Sequence, residues 1–210
     1  MIGDQPVEWP VQAREVLARG AVSSFVEETV LTPDGTAMRR QYLTHPGAVA
    51  VVAWDTERDA IACLRQYRHP VRMVLLEIPA GLLDSDDEPW LAAAQRELAE
   101  EVELAADHWQ VLVDLCTTPG GNEESLRVFL ARGLSATPRP PGFRLADEEL
   151  HMTWGWVPRT ELVEAVLEGR CQSPALVAGI MALEAARAAE RVEHLRAADA
   201  DWPIRALRRR

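Results

Sequence analysis

The sequence lacks any run near the roughly 18 consecutive apolar residues that a membrane-spanning helix needs, although 48% of its 210 residues are hydrophobic. Its opening, MIGDQPVEWP, sets no basic group ahead of an apolar segment, so no secretory signal is read and a cytoplasmic location is expected. Cysteine is scarce. Cys63, Cys116 and Cys171 are odd in number, far apart and form no C-x-x-C, which excludes a disulfide framework and leads us to expect reduced, half-buried thiols. The five histidines show no H-E-x-x-H or other ligand spacing, so a zinc site has no support. Basic residues are outnumbered, 22 against 33 acidic, for a net charge of −11. That balance disfavours nucleic acid as a partner, because phosphate backbones are bound by Lys/Arg surfaces. G-x-S-x-G, Walker A and G-x-G-x-x-G motifs are missing, which leaves serine-hydrolase, P-loop and Rossmann chemistry unsupported.

What is there is concentrated between Leu76 and Leu104, LLEIPAGLLDSDDEPWLAAAQRELAEEVEL. An apolar extended run ends at Pro79-Ala80-Gly81, an acidic loop follows, and a helix is predicted over residues 89–102, with Leu91, Ala94, Leu98 and Val102 as its core stripe. At about 100° per residue, Glu97, Glu100 and Glu101 share one side of that helix, beside Arg96. Like charges at these spacings cost roughly 0.2–0.5 kcal/mol per pair. Two readings follow: a solvated, helix-favouring acidic face, or a site for a hard divalent cation that takes carboxylate oxygens and substrate phosphate.

Along the chain, residues 1–18 read as irregular or partly helical. Residues 21–31 and 36–44 read as a β-hairpin around the turn Thr32-Pro33-Asp34-Gly35, with Phe25, Val30, Met38 and Tyr42 to bury. Strands are predicted at 48–54, 60–67, 71–78, 109–115, 126–134 and 152–157, and helices at 159–168 and 174–198, the last opened by Ser173 and Pro174. Strands around one central helix, closed by C-terminal helices, predict an α/β/α sandwich on a mixed sheet. Three segments are expected: a hairpin at 1–45, a main domain at 46–200 and a basic, solvated tail at 201–210.

The order Gly81, Glu88, Arg96-Glu97-Leu98, Glu100-Glu101, Leu104 resembles the signature box of the Nudix hydrolases, with seven residues between Glu88 and Arg96 as in that box. It departs twice: six residues rather than five part Gly81 from Glu88, and Glu103 stands where the family usually has glycine. The first change falls in a loop, where one extra residue is cheap. Arg65-Gln66-Tyr67-Arg68, Glu77-Ile78-Pro79-Ala80-Gly81 and Pro119, fifteen residues beyond Leu104, look like the ADP-ribose pyrophosphatase branch, especially its mycobacterial-type bacterial enzymes.

The resemblance implies the Nudix fold and hydrolysis of ADP-ribose to AMP and ribose 5-phosphate with Mg²⁺ or Mn²⁺, two or more ions per site. It implies Glu97, Glu101, Glu100 and the Ala80 carbonyl as metal ligands, and Gly81, Glu88 and Arg96 as structural residues of the box. It points to Glu148 or Glu149 as the catalytic base, with Asp147, Glu123 and Glu124 as weaker candidates. Arg40, Arg68 and Glu77 are implied as substrate-binding, with Phe25 or Tyr42 as candidates to stack on adenine. A homodimer with exchanged N-terminal hairpins is also implied. Other nucleoside diphosphate sugars, a broad housecleaning activity and a non-catalytic nucleotide sensor are the alternatives.

Overall fold

A computed structural model describes residues 2–83, 88–144 and 150–208, with side chains described as far as Arg205. The chain divides into two compact units. One gathers residues 1–47, 115–125 and 201–210; the other gathers 48–114 and 126–200.

The first unit carries a three-stranded antiparallel sheet of β1 (Val11–Arg19), β2 (Ser24–Leu31) and β3 (Ala37–Leu43), in that order. The sequence expectation of irregular structure before residue 18 is corrected here. VQAREVLAR has no decisive period of its own, but pairing with β2, from Val11 opposite Val30 to Arg19 opposite Ser24, gives its backbone partners. Residues 20–23 form the connecting turn, in which the Gly20 N–H donates to the Ser23 carbonyl at 2.8 Å. The expected core of the hairpin is also revised, since Val26 is fully buried and Phe25 is exposed.

The tail is not simply solvated. Pro203–Arg208 forms the short helix α4, Trp202 and Arg205 are buried, and the Arg205 guanidinium donates to the Pro46 carbonyl.

Among the described residues the second unit is built on an eight-stranded mixed sheet. Its main path runs β10 (Thr153–Pro158), β5 (Ala60–Arg68), β4 (Ala48–Asp55), β9 (Ser125–Ala136), β8 (Leu104–Cys116) and β11 (Arg196–Ala197). Off this path, β6 (Met73–Glu77) pairs with β5 and β7 (Ala80–Leu82) with β4. The β4–β9 pair is parallel, with Val49 opposite Arg127 and Val51 opposite Phe129. AVAVVAWD and SLRVFLAR are buried on both faces because helices cover both, and all but Ser125 and Arg127 of their buried residues are apolar.

Val49, Val51, Ala53, Phe129 and Ala131 pack against Ala94, Leu98 and Val102 of α1 (Trp90–Val102). On the opposite face lies α3 (Pro174–Ala188), with Leu176, Ile180 and Leu183 buried. A Cβ at Gly179 would sit 2.8 Å from Val52 and 3.3 Å from Val128, so glycine there lets the helix lie close on the sheet. The helix α2 (Arg159–Leu167) precedes it. The result is the expected α/β/α sandwich.

The last predicted helix stops at Ala188 rather than near residue 198. Glu190 takes a left-handed φ of 54°, a turn Val192–His194 follows, and Arg196–Ala197 joins the edge of β8. The helix-favouring composition runs past Ala188, but the open sheet edge captures the chain. Cys63 and Cys171 are buried and Cys116 is exposed.

Candidate active site

The acidic residues of α1 owe their place to how that helix begins and ends. Pro89, expected from sequence as the first helical residue, is instead the N-cap in extended conformation (φ −61°, ψ 134°), so the helix starts one position later, and it supplies no side-chain cap. At the other end Glu103 is the C-cap in left-handed conformation (φ 55°, ψ 39°), its N–H directed to the Ala99 and Leu98 carbonyls. This is the conformation glycine adopts at no steric cost, which accounts for the glycine usual at this position of the box. Thr137 donates its N–H to the Glu103 carbonyl at 2.9 Å, and Arg139 Nε donates to the Glu100 carbonyl at 2.7 Å. Arg139 thereby sets a positive charge at the negative end of the helix, a contribution that no motif in the sequence marks.

Between these ends, Glu97, Glu100 and Glu101 are all buried, at 9%, 8% and 7% of full exposure. A solvated acidic face is excluded by those values. One guanidinium organises the cluster. Arg96 Nη1 donates to Glu97 Oε1 at 2.7 Å and to Glu100 Oε2 at 3.0 Å, while Nε and Nη2 reach the two oxygens of Glu88 at 3.2 and 3.3 Å. Arg96 Nη2 also lies 3.4 Å from the Leu82 carbonyl. Glu101 Oε2 accepts the Ala80 N–H at 2.9 Å, and the Pro79 carbonyl accepts the Val51 N–H at 2.8 Å, so the segment before the helix is fastened to both α1 and β4. Gly81 lies against Glu97: a Cβ there would fall 2.0 Å from its carboxyl carbon.

The donor set is one a hard divalent cation takes, carboxylate oxygens on one helix face, with Glu88, Glu97 and Glu100 around one guanidinium and Glu101 beside them on the Ala80 N–H. Among the described residues, no group of three or more His, Cys, Asp or Glu side chains is disposed to hold a metal ion as it stands. Arg96 and the Ala80 N–H engage these carboxylates.

The other residues singled out in the sequence fall in several places. Arg68 on β5 and Glu77 at the end of β6 form a bidentate ion pair, with Nε to Oε1 at 2.9 Å and Nη2 to Oε2 at 2.6 Å. Arg40 stands on β3 in the first unit, beside a shallow cleft lined by Glu27, Arg39 and Gln41. There the Arg39 hydrogen bond holds the Glu27 carboxyl below the usual carboxylate range. Glu123 and Glu124 are engaged within that unit, Glu123 accepting the His45 N–H at 3.0 Å and Glu124 the Thr117 hydroxyl. Asp147, Glu148 and Glu149 lie outside the described residues.

A sequence profile of the NUDIX domain matches residues 44–175, more than half of the chain. The chain belongs to the Nudix family. Over 171 residues it is 44% identical to an ADP-ribose pyrophosphatase of Mycobacterium tuberculosis (strain ATCC 25618 / H37Rv), covering 81% of each chain. Over 123 residues it is 39% identical to an ADP-ribose pyrophosphatase of Bacillus subtilis (strain 168), covering 59% of this chain and 65% of that one. A solved structure described as an ADP compounds hydrolase superposes with a TM-score of 0.67 over 90% of this chain and 100% of its own, at 20% identity, a likeness of fold. The helix bearing Arg96, Glu97, Glu100 and Glu101 lies within the matched region.

Proposed function

We propose that this protein is a divalent-metal-dependent Nudix hydrolase that cleaves the diphosphate of ADP-ribose, giving AMP and ribose 5-phosphate. The observation that carries this reading is the 44% identity to an ADP-ribose pyrophosphatase across 81% of both chains. The intact box supports it.

Hydrolysis of a diphosphate is mostly a matter of neutralising charge and aiming water at a shielded phosphorus. Glu97, Glu100, Glu101 and the Ala80 carbonyl would hold Mg²⁺ or Mn²⁺, two or more ions per site. When bound, the metal neutralises phosphate oxygens and makes water more acidic. Arg96 and Glu88 keep the helix carboxylates together. Glu148 or Glu149 takes the proton from the attacking water, and Arg40, Arg68 and Glu77 bind the nucleotide end. The active form is a homodimer in the cytoplasm, with the N-terminal hairpins exchanged between subunits. No described helix is long and apolar enough to cross a membrane.

The test is a side-by-side assay of ADP-ribose, ADP-glucose, GDP-mannose and NADH with Mg²⁺ and with Mn²⁺. ADP-ribose is expected to show the highest kcat/KM, and a higher value for any competitor rejects the substrate assignment. Chelation is expected to abolish turnover, and Glu101→Gln to lower kcat by about 100-fold or more, the scale of losing a principal electrostatic group. Wild-type turnover by Glu101→Gln would remove the helix carboxylates from the reaction.

A further inference from the structure

Arg127 is out of place in its strand. It sits in β9 between Leu126 and Val128 with 0% side-chain exposure, on the α1 side of the sheet, in register with Val49 and two residues before Phe129. Burying a guanidinium costs desolvation that an apolar side chain of similar size would avoid, so its retention calls for a gain elsewhere. Its hydrogen bonds are well formed: Nε and Nη2 donate to the two oxygens of Asp114 at 2.7 and 3.0 Å, and Nη1 donates to the Ala200 carbonyl at 2.7 Å.

Its guanidinium carbon lies over the ring of Trp90, 4.7 Å from the ring centroid. Trp90 is the first residue of α1. That helix has no side-chain N-cap and no acidic residue in its first turn, so the usual local devices do not fix where it starts. Two residues ahead of Trp90 is Glu88, which accepts both Nε and Nη2 of Arg96, and Arg96 in turn holds Glu97 and Glu100. From the sheet to the carboxylates the path is therefore Asp114, Arg127, Trp90, Glu88, Arg96.

We propose that Arg127, braced by Asp114, is a positioning residue that sets the start of α1 through Trp90 and so fixes the carboxylate cluster for its cation. This rests on the metal-dependent reading above. Arg127 does not itself act on substrate. Removing it leaves Asp114 the Arg196 guanidinium at 2.6 Å, so Arg127→Met does not strand that carboxylate.

The experiment measures Mn²⁺ binding by electron paramagnetic resonance of the free ion, together with kcat, KM and Tm, for wild type, Arg127→Met, Trp90→Leu and Trp90→Phe. Loss of a residue that orients metal ligands weakens binding by about 10- to 100-fold. Arg127→Met and Trp90→Leu are expected to lose Mn²⁺ affinity and kcat in that range with KM changed less than about twofold, while Trp90→Phe, which keeps a ring under the guanidinium, restores both. Wild-type Mn²⁺ affinity and kcat in Arg127→Met, with only Tm lowered, would mean Arg127 serves stability alone. If Arg127→Met does not fold, the Trp90 pair decides: equal Mn²⁺ affinity in Trp90→Leu and Trp90→Phe overturns the proposal. A wild-type chain that binds Mn²⁺ but leaves ADP-ribose intact rejects the substrate and not the positioning role.

Discussion

Single side chains of the box carry definite expectations. Gly81 has no Cβ because the Glu97 carboxylate occupies that space, and Glu97 is held on its far side by Arg96. In Gly81→Ala the carboxylate has to swing out of the cluster. Misplacing one ligand is expected to lower kcat by about 10-fold or more, with Tm changed by only a few degrees, in assays paired with thermal denaturation. Glu103 carries the opposite sign. It holds a φ of 55° that costs a residue with a Cβ about 0.5–1 kcal/mol relative to glycine, so Glu103→Gly should raise Tm by about 1–4 °C. The sequence already marks this position, since the family's glycine suits a helix C-terminus. What it does not contain is Arg139, whose approach to the Glu100 carbonyl depends on where the chain returns after β9.

Among the elements, the junction of the β4–β5 turn with α2 and α3 depends on one buried cation. Arg159 donates to both oxygens of Asp59 at 2.8 Å and to Glu184 at 2.6 Å. The Arg159 hydrogen bonds, seconded by Trp54, hold the Asp59 carboxyl below the usual carboxylate range. A depressed folded-state pKa means stability that is complete above the unfolded value of about 4 and is lost as pH falls through the folded value. Asp59→Asn is therefore expected to unfold at lower urea than wild type at pH 7, with the gap narrowing at pH 3. Elements whose residues dictate one period were legible: the apolar runs of β4, β5 and β9, and the stripe of α1. β1 and the end of α3 were not, because VQAREVLAR and AAERVEH suit more than one state, and a neighbouring strand decides between them. The ion pair of Arg68 with Glu77 also escapes sequence reading, since it needs the register of β5 against β6, which sets Arg68 opposite Met73 and Leu64 opposite Glu77.

For the molecule as a whole, the proposed dimer makes β1 the element to test. All nine of its residues are exposed, Val11, Val16 and Leu17 among them, and as the outer strand of its sheet it presents an unpaired edge. Sedimentation equilibrium is expected to give twice the chain mass, and Val16→Lys with Leu17→Lys to give a single chain. The three cysteines provide an internal clock for opening of the fold. Cys116 is exposed, whereas Cys63 and Cys171 are buried and burial pushes the Cys63 thiol up to about 12. A water-soluble aromatic disulfide should therefore modify one thiol at once, and the other two only as often as the β5–α3 side of the sandwich breathes. The rate of that slow phase, followed by absorbance in native buffer, reads the free energy of opening without denaturant.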